Sequence, residues 1–105
     1  MDIAFHPRAR DELLEAEDWY QARSSLSAVA FRREIAKAIR MIADNPLWYS
    51  PGEGGTRRFI LPKFPFSVVY RVGAGHSKTP DLTGADILIV AVAHHKRRPG
   101  YWLNR

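Results

Sequence analysis

The feature that most constrains the fold of this chain is an uninterrupted apolar run from Ile87 to Ala93. The run is too short to cross a membrane, and its branched aliphatic residues favour a strand over a helix. We therefore predict a strand from Asp86 to Ala93. Because it is apolar on both faces, this strand is expected in the interior of a sheet. The basic segment that follows it, His94 to Arg105, then begins at a fixed place on that sheet.

The first half of the chain has the periodicity of two amphipathic helices. The first begins at Pro7, a residue suited to the first turn of a helix, and runs to about Arg23. The second follows serines that can cap it and ends at Asn45-Pro46. Its apolar stripe consists of Ala28, Phe31, Ile35, Ala38, Ile39 and Ile42. The connection between the helices is short, which predicts an antiparallel hairpin.

Strand patterns flank this hairpin. A short strand is predicted at Asp2 to Phe5, and two more at Thr56 to Leu61 and at Phe66 to Val72, where apolar and polar residues alternate. Leu47 to Gly55 and Gly73 to Gly84 are rich in turn residues and are predicted to be loops, the first of them anchored by Trp48 and Tyr49.

These elements predict an α+β domain that spans residues 1–105. Its order is β-α-α-β-β-β: a short N-terminal strand, the helix hairpin, and three strands of a small, mainly antiparallel sheet. The hairpin is expected to cover one face of the sheet and to leave the other face free.

The charge of the chain is unevenly distributed. Residues 1–50 carry seven basic and eight acidic side chains, whereas residues 51–105 carry nine and three. A basic second half indicates an acidic partner, either nucleic acid or an acidic protein segment. The chain has no cysteine, no apolar stretch long enough for a membrane and no secretory signal pattern, so we expect a soluble cytoplasmic protein.

Cations of the second half are expected to converge on the uncovered face of the sheet, where fixed guanidinium groups match phosphate or another anionic target. The alternative is a solvated face on which arginine stems cover apolar neighbours. The candidate residues are Arg57, Arg58, Arg71, Lys96, Arg97 and Arg98.

Histidines, one glutamate and one tyrosine are the candidates for chemistry. His94 and His95 are adjacent in a strand, so they point to opposite faces and are not expected to share a metal ion. Either is a possible general acid or base, and so is Glu53 in its glycine-rich loop. Tyr101 and Trp102 can stack on a partner or pin the end of the chain to the core. No metal or cofactor site is predicted.

Taken together, these residues resemble the RelE/ParE superfamily of toxins from type II toxin–antitoxin pairs, also known as plasmid stabilisation proteins. The resemblance spans nearly the whole chain and implies the fold described above. It also implies a cognate antitoxin as partner and a toxin–antitoxin hetero-oligomer. The residues that carry it are Phe5-His6-Pro7, Glu12-Leu13, Trp19-Tyr20, Asn45-Pro46, Arg57-Arg58-Phe59, the stretch from Phe64 to Val72 and the stretch from Ile89 to Pro99.

The superfamily divides by mechanism. RelE-like members cleave mRNA on the ribosome without a metal, whereas ParE-like members inhibit DNA gyrase. The RelE-like pattern has an arginine where this chain has Ser67, and the stretch Phe66 to Val72 is closer to the ParE side. Conversely, His95, Glu53 and Tyr101 fall near positions that are catalytic in RelE-like relatives.

Three hypotheses follow. The first is a toxin that inhibits DNA gyrase without being an enzyme, and it contacts gyrase through the basic segment. The second is a ribosome-dependent mRNA endoribonuclease. In it Arg57, Arg58 and Arg71 hold the phosphate, and His95 and Glu53 exchange protons. The third is a basic RNA-binding module without toxicity.

Overall fold

The computed structural model describes residues 2–73 and 85–105. Two helices pack on one five-stranded sheet, in which the strand order is β1-β5-β4-β3-β2. Strand β1 is parallel to β5, and the other neighbours are antiparallel. The elements are β1 (Ile3–Phe5), α1 (Pro7–Arg23), α2 (Ser25–Asp44), β2 (Ser50–Pro51), β3 (Arg57–Ile60), β4 (Phe66–Val72) and β5 (Ile87–His94). The α+β class and the interior position of β5 are confirmed.

Both helices begin at side-chain caps. The His6 Nδ1 atom accepts a hydrogen bond from the Arg8 amide at 3.1 Å, and Pro7 occupies the first helical position of α1. The Ser24 hydroxyl accepts from the Ser27 amide at 3.3 Å at the start of α2. The predicted helix hairpin is therefore correct, and the predicted helix starts agree with the caps.

The face of the sheet that the helices cover, here the helix face, holds the main core. Phe31, Ile35 and Ile42 of α2 are buried there against Val68 and Tyr70 of β4. At one end of the core, the rings of Tyr20, Phe64 and Phe66 contact Phe31 with centroids 5.2–5.3 Å apart. The contacts of Phe64 and Phe66 with Phe31 are edge-to-face, and such contacts add to the free energy of apolar burial. The periodicity of α2 identified its buried residues correctly.

A β-bulge in β5 changes which residues face the helices. Val69 is paired with Ala91, but Tyr70 is paired with Ile89, so Val90 is an extra residue in β5. Val90 and Ala91 consequently both belong to the opposite face of the sheet, here the second face. Side chains of β5 therefore alternate between the two faces except at the bulge, and apolar side chains lie on both faces.

The sequence led us to expect a free second face, but the structure shows that this face is partly covered. The C-terminal segment (residues 100–105) crosses it, and Tyr101 and Trp102 pack against Val69, Val90 and Ala93. The expectation was wrong because a glycine at position 100, with φ of 83°, turns the chain back toward the sheet. The second face is therefore covered beside β5 and open beside β3.

Two loops were predicted. The first needs correction, and the second lies almost entirely outside the described residues. The segment predicted as a loop before β3 contains β2 and a 3-10 turn at Glu53–Gly55. Within it Tyr49 packs against Phe59 with ring centroids 4.9 Å apart, as expected of an anchor. Trp48 is 77% exposed, so its predicted anchoring role is wrong. The predicted loop of residues 73–84 lies outside the described residues apart from Gly73.

Within residues 2–73 and 85–105, the helices include none with the length and apolar character needed to cross a membrane.

Replacement of Tyr70 by phenylalanine tests how the core fixes the end of α2. The buried Tyr70 hydroxyl donates to the Pro46 carbonyl at 2.6 Å, and its loss leaves that carbonyl unpaired. We expect Tyr70→Phe to lower the free energy of unfolding by about 1–2 kcal/mol, measured by urea denaturation. Leu47→Ala, at an exposed neighbour, serves as the control.

The same substitution changes the alkaline limit of stability. Burial raises the pKa of Tyr70 from 10.0 to about 12. Because the folded-state pKa is raised, the contribution of the neutral side chain is present below the unfolded-state pKa and is lost as pH rises through this range. We expect Tyr70→Phe to remove this part of the decline in stability. An unchanged pH profile would contradict the assignment.

Candidate functional site

A cleft on the second face collects several of the predicted site residues. It has a volume of about 220 Å³ and lies where β5 ends and the basic segment leaves the sheet. Strands β3, β4 and β5 and the turn after β5 all contribute to its wall. The lining residues are Arg58, Ile60, Ser67, Val69, Ala93, His94, His95, Arg97, Pro99 and Trp102.

The two adjacent histidines lie on opposite faces, as predicted. The His95 ring contacts the Ser67 hydroxyl with Nε2 and Oγ 3.0 Å apart, and its amide donates to the Pro65 carbonyl at 2.8 Å. The His94 ring lies on the helix face against Phe66, with ring centroids 5.0 Å apart. Among the described residues there is no cluster of side chains suited to a metal ion.

Arg57 does not join Arg58 on the second face. Arg57 is paired with Tyr70, so its side chain lies on the helix face, where Nη1 donates to the carbonyls of Leu47 at 3.2 Å and Tyr49 at 2.8 Å. Consecutive residues of a strand point to opposite faces, which is why the two arginines separate. The predicted convergence of all these cations is therefore wrong for Arg57.

Arg71 and Glu53 are placed apart from His95. The Arg71 Nη1 atom donates to the Arg105 carbonyl at 3.3 Å, so this guanidinium holds the C-terminal segment. Glu53 lines a neighbouring cleft, which shares Arg58, Val69, Pro99 and Trp102 with the first. Arg58 is thus the one predicted cation that borders the clefts of both Glu53 and His95.

The three successive cations of the basic segment differ in their surroundings. Lys96 and Arg98 are exposed, and in the described part of the chain neither forms an ion pair. Arg97 instead pairs with Glu12 at 3.2 Å and stacks on the Tyr101 ring at 3.8 Å. The charge free to meet a partner therefore lies at Lys96 and Arg98, with Arg58 nearby.

Glu12 is the residue that sequence reasoning missed. Its Oε1 atom accepts from the Val92 amide at 3.0 Å and from Arg105 Nη1 at 2.9 Å, and its Oε2 atom accepts from Arg105 Nη2 at 3.0 Å. Arg105 Nη1 also donates to the Val90 carbonyl at 2.9 Å. The two side chains are only 11% and 10% exposed. The available signal was spacing: Glu12 follows Ala9 by three residues and precedes Ala16 by four, which places it on the buried side of α1.

Tyr101 is buried beside this ion pair rather than in the cleft of His95. Its hydroxyl has no hydrogen-bond partner in the structure of residues 2–73 and 85–105, and the same is true of the Trp102 indole nitrogen. Burial raises the pKa of Tyr101, and the neighbouring Glu12 carboxylate raises it further. The interpretation of Trp102 as an anchor of the chain end is confirmed, and Tyr101 shares that role.

Removing the charge of Glu12 tests how strongly the ion pair holds the fold. We expect Glu12→Gln to lower the free energy of unfolding by about 3 kcal/mol, because Arg105 keeps a buried charge without its partner. Urea denaturation measures the change. Glu15→Gln, at an exposed carboxylate on the same helix, is the matched control and is expected to change stability by less than about 0.5 kcal/mol. Equal losses in the two variants would show that Glu12 acts only as a surface charge.

Comparison with known proteins identifies the family of this chain and a solved structure with the same fold. Residues 3–99 match the family model of the ParE toxin of the type II toxin–antitoxin system parDE. The structure is also similar to that of the chromosomal ParDE TA system from P. aeruginosa, with a TM-score of 0.68 and 21% sequence identity over 90% of this chain and 95% of that chain. At that identity the likeness establishes the fold. No curated protein matches the sequence. Since the family model covers nearly all of its length, the chain belongs to the ParE toxin family of type II toxin–antitoxin systems.

Proposed function

We propose that this ParE-family toxin arrests growth by inhibiting DNA gyrase, and that it acts by binding rather than by cutting nucleic acid. The observation that carries the proposal is that two of the candidate phosphate-binding arginines are engaged within the chain itself. Arg57 and Arg71 donate to main-chain carbonyls, and the Tyr101 hydroxyl is buried. Two of the three arginines that could hold a phosphodiester are therefore committed to structural contacts, and the Tyr101 hydroxyl is not exposed to a substrate.

Three other cations of the second half are exposed and support a protein-binding surface. Arg58, Lys96 and Arg98 are exposed, and they project from a strand, a turn and a segment whose positions are fixed by the sheet. Cations held in this way attract an acidic protein surface at long range and orient it on approach. They form the proposed gyrase-binding surface, defined here as Arg58, Lys96 and Arg98.

An mRNA endoribonuclease is the second candidate, because His95 is placed beside Arg58 and Arg97 in one cleft. In that mechanism Arg58 would hold the phosphate and His95 would transfer the proton of the attacking 2′-hydroxyl. Ser67, which occupies the position of an arginine in the RelE-like pattern, binds the His95 ring and supplies no charge. The cleft therefore has fewer cations than the chemistry favours. Family membership leaves the non-toxic RNA-binding module without support.

Under either candidate function the expected partner is an antitoxin, since the family belongs to type II toxin–antitoxin systems, parDE. We propose that an acidic or amphipathic antitoxin segment covers cations of the second half of the chain in the inactive hetero-oligomer. A short acidic reading frame is expected beside the gene of this protein.

Two parallel assays separate the candidate functions. Purified protein is added to a gyrase supercoiling reaction and to a translating extract in which mRNA ends are mapped by primer extension. We expect supercoiling to be inhibited and the message to stay intact. Codon-phased cuts that disappear in His95→Ala would instead establish the nuclease.

Charge removal tests the gyrase-binding surface. The double variant Lys96→Ala/Arg98→Ala is expected to need at least about 10-fold more protein for half-inhibition of supercoiling, equivalent to about 1.4 kcal/mol of binding free energy. Arg32→Ala/Arg40→Ala removes the same charge from exposed positions of α2 and is the matched control. Equal losses in the two double variants would show that only net charge matters.

A further inference from the structure

The Glu12 carboxylate is held by two arginines of unequal burial. Arg105 binds it with two bonds of 2.9 and 3.0 Å, from a side chain that is 10% exposed. Arg97 contributes one bond of 3.2 Å, and its side chain is 55% exposed. One bidentate guanidinium is enough to pair a carboxylate. Arg97 can therefore leave Glu12 without leaving a buried charge unpaired.

The other contact of Arg97 is exposed to water as well. Its guanidinium stacks on the Tyr101 ring, with 3.8 Å between the guanidinium carbon and the ring centroid. Water competes for a cation whose side chain is mostly exposed, so the stack and the ion pair each contribute little to the stability of the fold. Exposed side chains also change rotamer rapidly. The Arg97 charge is therefore available to another anion with little loss of stability.

Arg97 lies where two depressions of the surface meet. On one side it borders a groove between α1 and the sheet, which Glu12 also lines. On the other side it lines the cleft of His95 on the second face. The Arg97 amide donates to the His94 carbonyl at 3.0 Å, which fixes the backbone of the turn. Because Arg97 borders both depressions, a change of rotamer is enough to shift its charge from Glu12 toward the cleft.

The cleft of His95 combines basic and apolar residues. Arg58, His95 and Arg97 are its exposed basic residues. In the part of the chain that the structure describes, no Asp or Glu lines it. Apolar residues, among them Ile60 and Val69, form much of the remaining wall. Basic groups beside an apolar wall fit an anion that is carried on a short apolar stem.

The size of the cleft favours one kind of anion. Its volume of about 220 Å³ is below the range of about 300–1,000 Å³ that is typical of small-molecule sites. A single acidic side chain fits within it, whereas a nucleotide needs room for its sugar and base as well as its phosphate. A planar carboxylate also matches the fork of a guanidinium. Size and charge therefore favour an aspartate or glutamate side chain of a protein partner.

We propose that Arg97 exchanges Glu12 for a carboxylate of gyrase when the toxin binds, and that Arg58 and Arg97 together hold this carboxylate beside His95. The exchange adds Arg97 to the gyrase-binding surface only when the partner is present. In the free toxin its charge is neutralised by Glu12. This inference rests on the proposed inhibition of gyrase.

A pair of arginine variants tests the exchange. Arg97→Ala is expected to raise the dissociation constant for purified gyrase at least about 10-fold, measured by biolayer interferometry, because the carboxylate keeps one guanidinium of two. Its midpoint of urea denaturation is expected to match that of the wild type, since Arg105 still pairs Glu12. Arg23→Ala removes a cation that likewise stacks on an aromatic ring, at 3.6 Å from Trp19, and is expected to change neither quantity.

A double variant tests whether Arg58 and Arg97 hold the same carboxylate. Two cations that bind one group lose less together than the product of their separate losses. If Arg58→Ala and Arg97→Ala each weaken gyrase binding about 10-fold, we expect the double variant to weaken it about 20-fold rather than about 100-fold. Lys96 does not line the cleft, so the losses of Lys96→Ala and Arg58→Ala are expected to multiply. Losses that multiply in both pairs would overturn the shared carboxylate.

Small anions test which chemistry the cleft selects. Glutarate and inorganic phosphate are titrated separately into the free toxin, and the side-chain N–H signals of Arg58 and Arg97 are followed by NMR. We expect glutarate to shift both signals in a saturable manner and to leave the Arg23 signal unchanged. Shifts from phosphate but not from glutarate would assign the cleft to a phosphate ligand instead. The absence of shifts from either anion would also overturn the carboxylate site.

Failure of this inference is distinguishable from failure of the proposed function. Gyrase binding that is unaffected by Arg97→Ala overturns the exchange and leaves gyrase inhibition standing. A lowered urea midpoint together with unchanged binding would give Arg97 a structural role instead. Absence of any binding between the wild-type toxin and gyrase overturns the proposed function and the inference together.

Discussion

The bidentate ion pair between Glu12 and Arg105 joins three parts of the molecule that are distant in the sequence. Glu12 belongs to α1, Arg105 belongs to the C-terminal segment, and both bond to β5 at Val90 and Val92. A nearly buried pair is stabilising only when its remaining hydrogen-bonding groups are also satisfied, and the two backbone bonds meet much of that requirement. These backbone groups are available because the bulge at Val90 interrupts the alternation of β5. The ion pair in this position therefore depends on the bulge.

The presentation of the basic surface follows from this arrangement. The C-terminal segment is held on the second face by the packing of Tyr101 and Trp102, by Arg71 at its main chain and by Glu12 at its last side chain. The turn that carries the exposed cations lies between the end of β5 and this segment, so both of its ends are fixed. A contact surface of a few exposed cations is useful for recognition only when their spacing is fixed. The structure supplies that fixed spacing on the second face.

Local patterns in the sequence predicted most of the fold. The helices, the serine cap of α2, the interior strand β5 and the separation of His94 from His95 each depend on a few neighbouring residues, and those predictions were correct. What escaped prediction is non-local. The Glu12–Arg105 contact joins positions 93 residues apart, and the bulge that positions it leaves no mark in an all-apolar run. Arg57 was wrongly placed on the same face as Arg58, although strand alternation puts consecutive residues on opposite faces. Which of the two arginines lies on the helix face is decided only by the packing of the helices. Strand β2 is two residues long and is hidden among prolines and glycines.

The exchange behaviour of the Trp102 indole N–H tests most directly whether Glu12 holds the C-terminal segment in place. The protein has three tryptophans, and the exposed indoles of Trp19 and Trp48 are internal references in the same NMR spectrum. In the wild-type protein the buried Trp102 indole is expected to exchange much more slowly than the other two. In Glu12→Gln, the Trp102 indole N–H is predicted to exchange as fast as the reference indoles while the amides of β4 remain protected. The reason is that the C-terminal segment leaves the second face before the sheet unfolds. A Trp102 indole that stays as protected as the β4 amides in Glu12→Gln would contradict the central role of the ion pair.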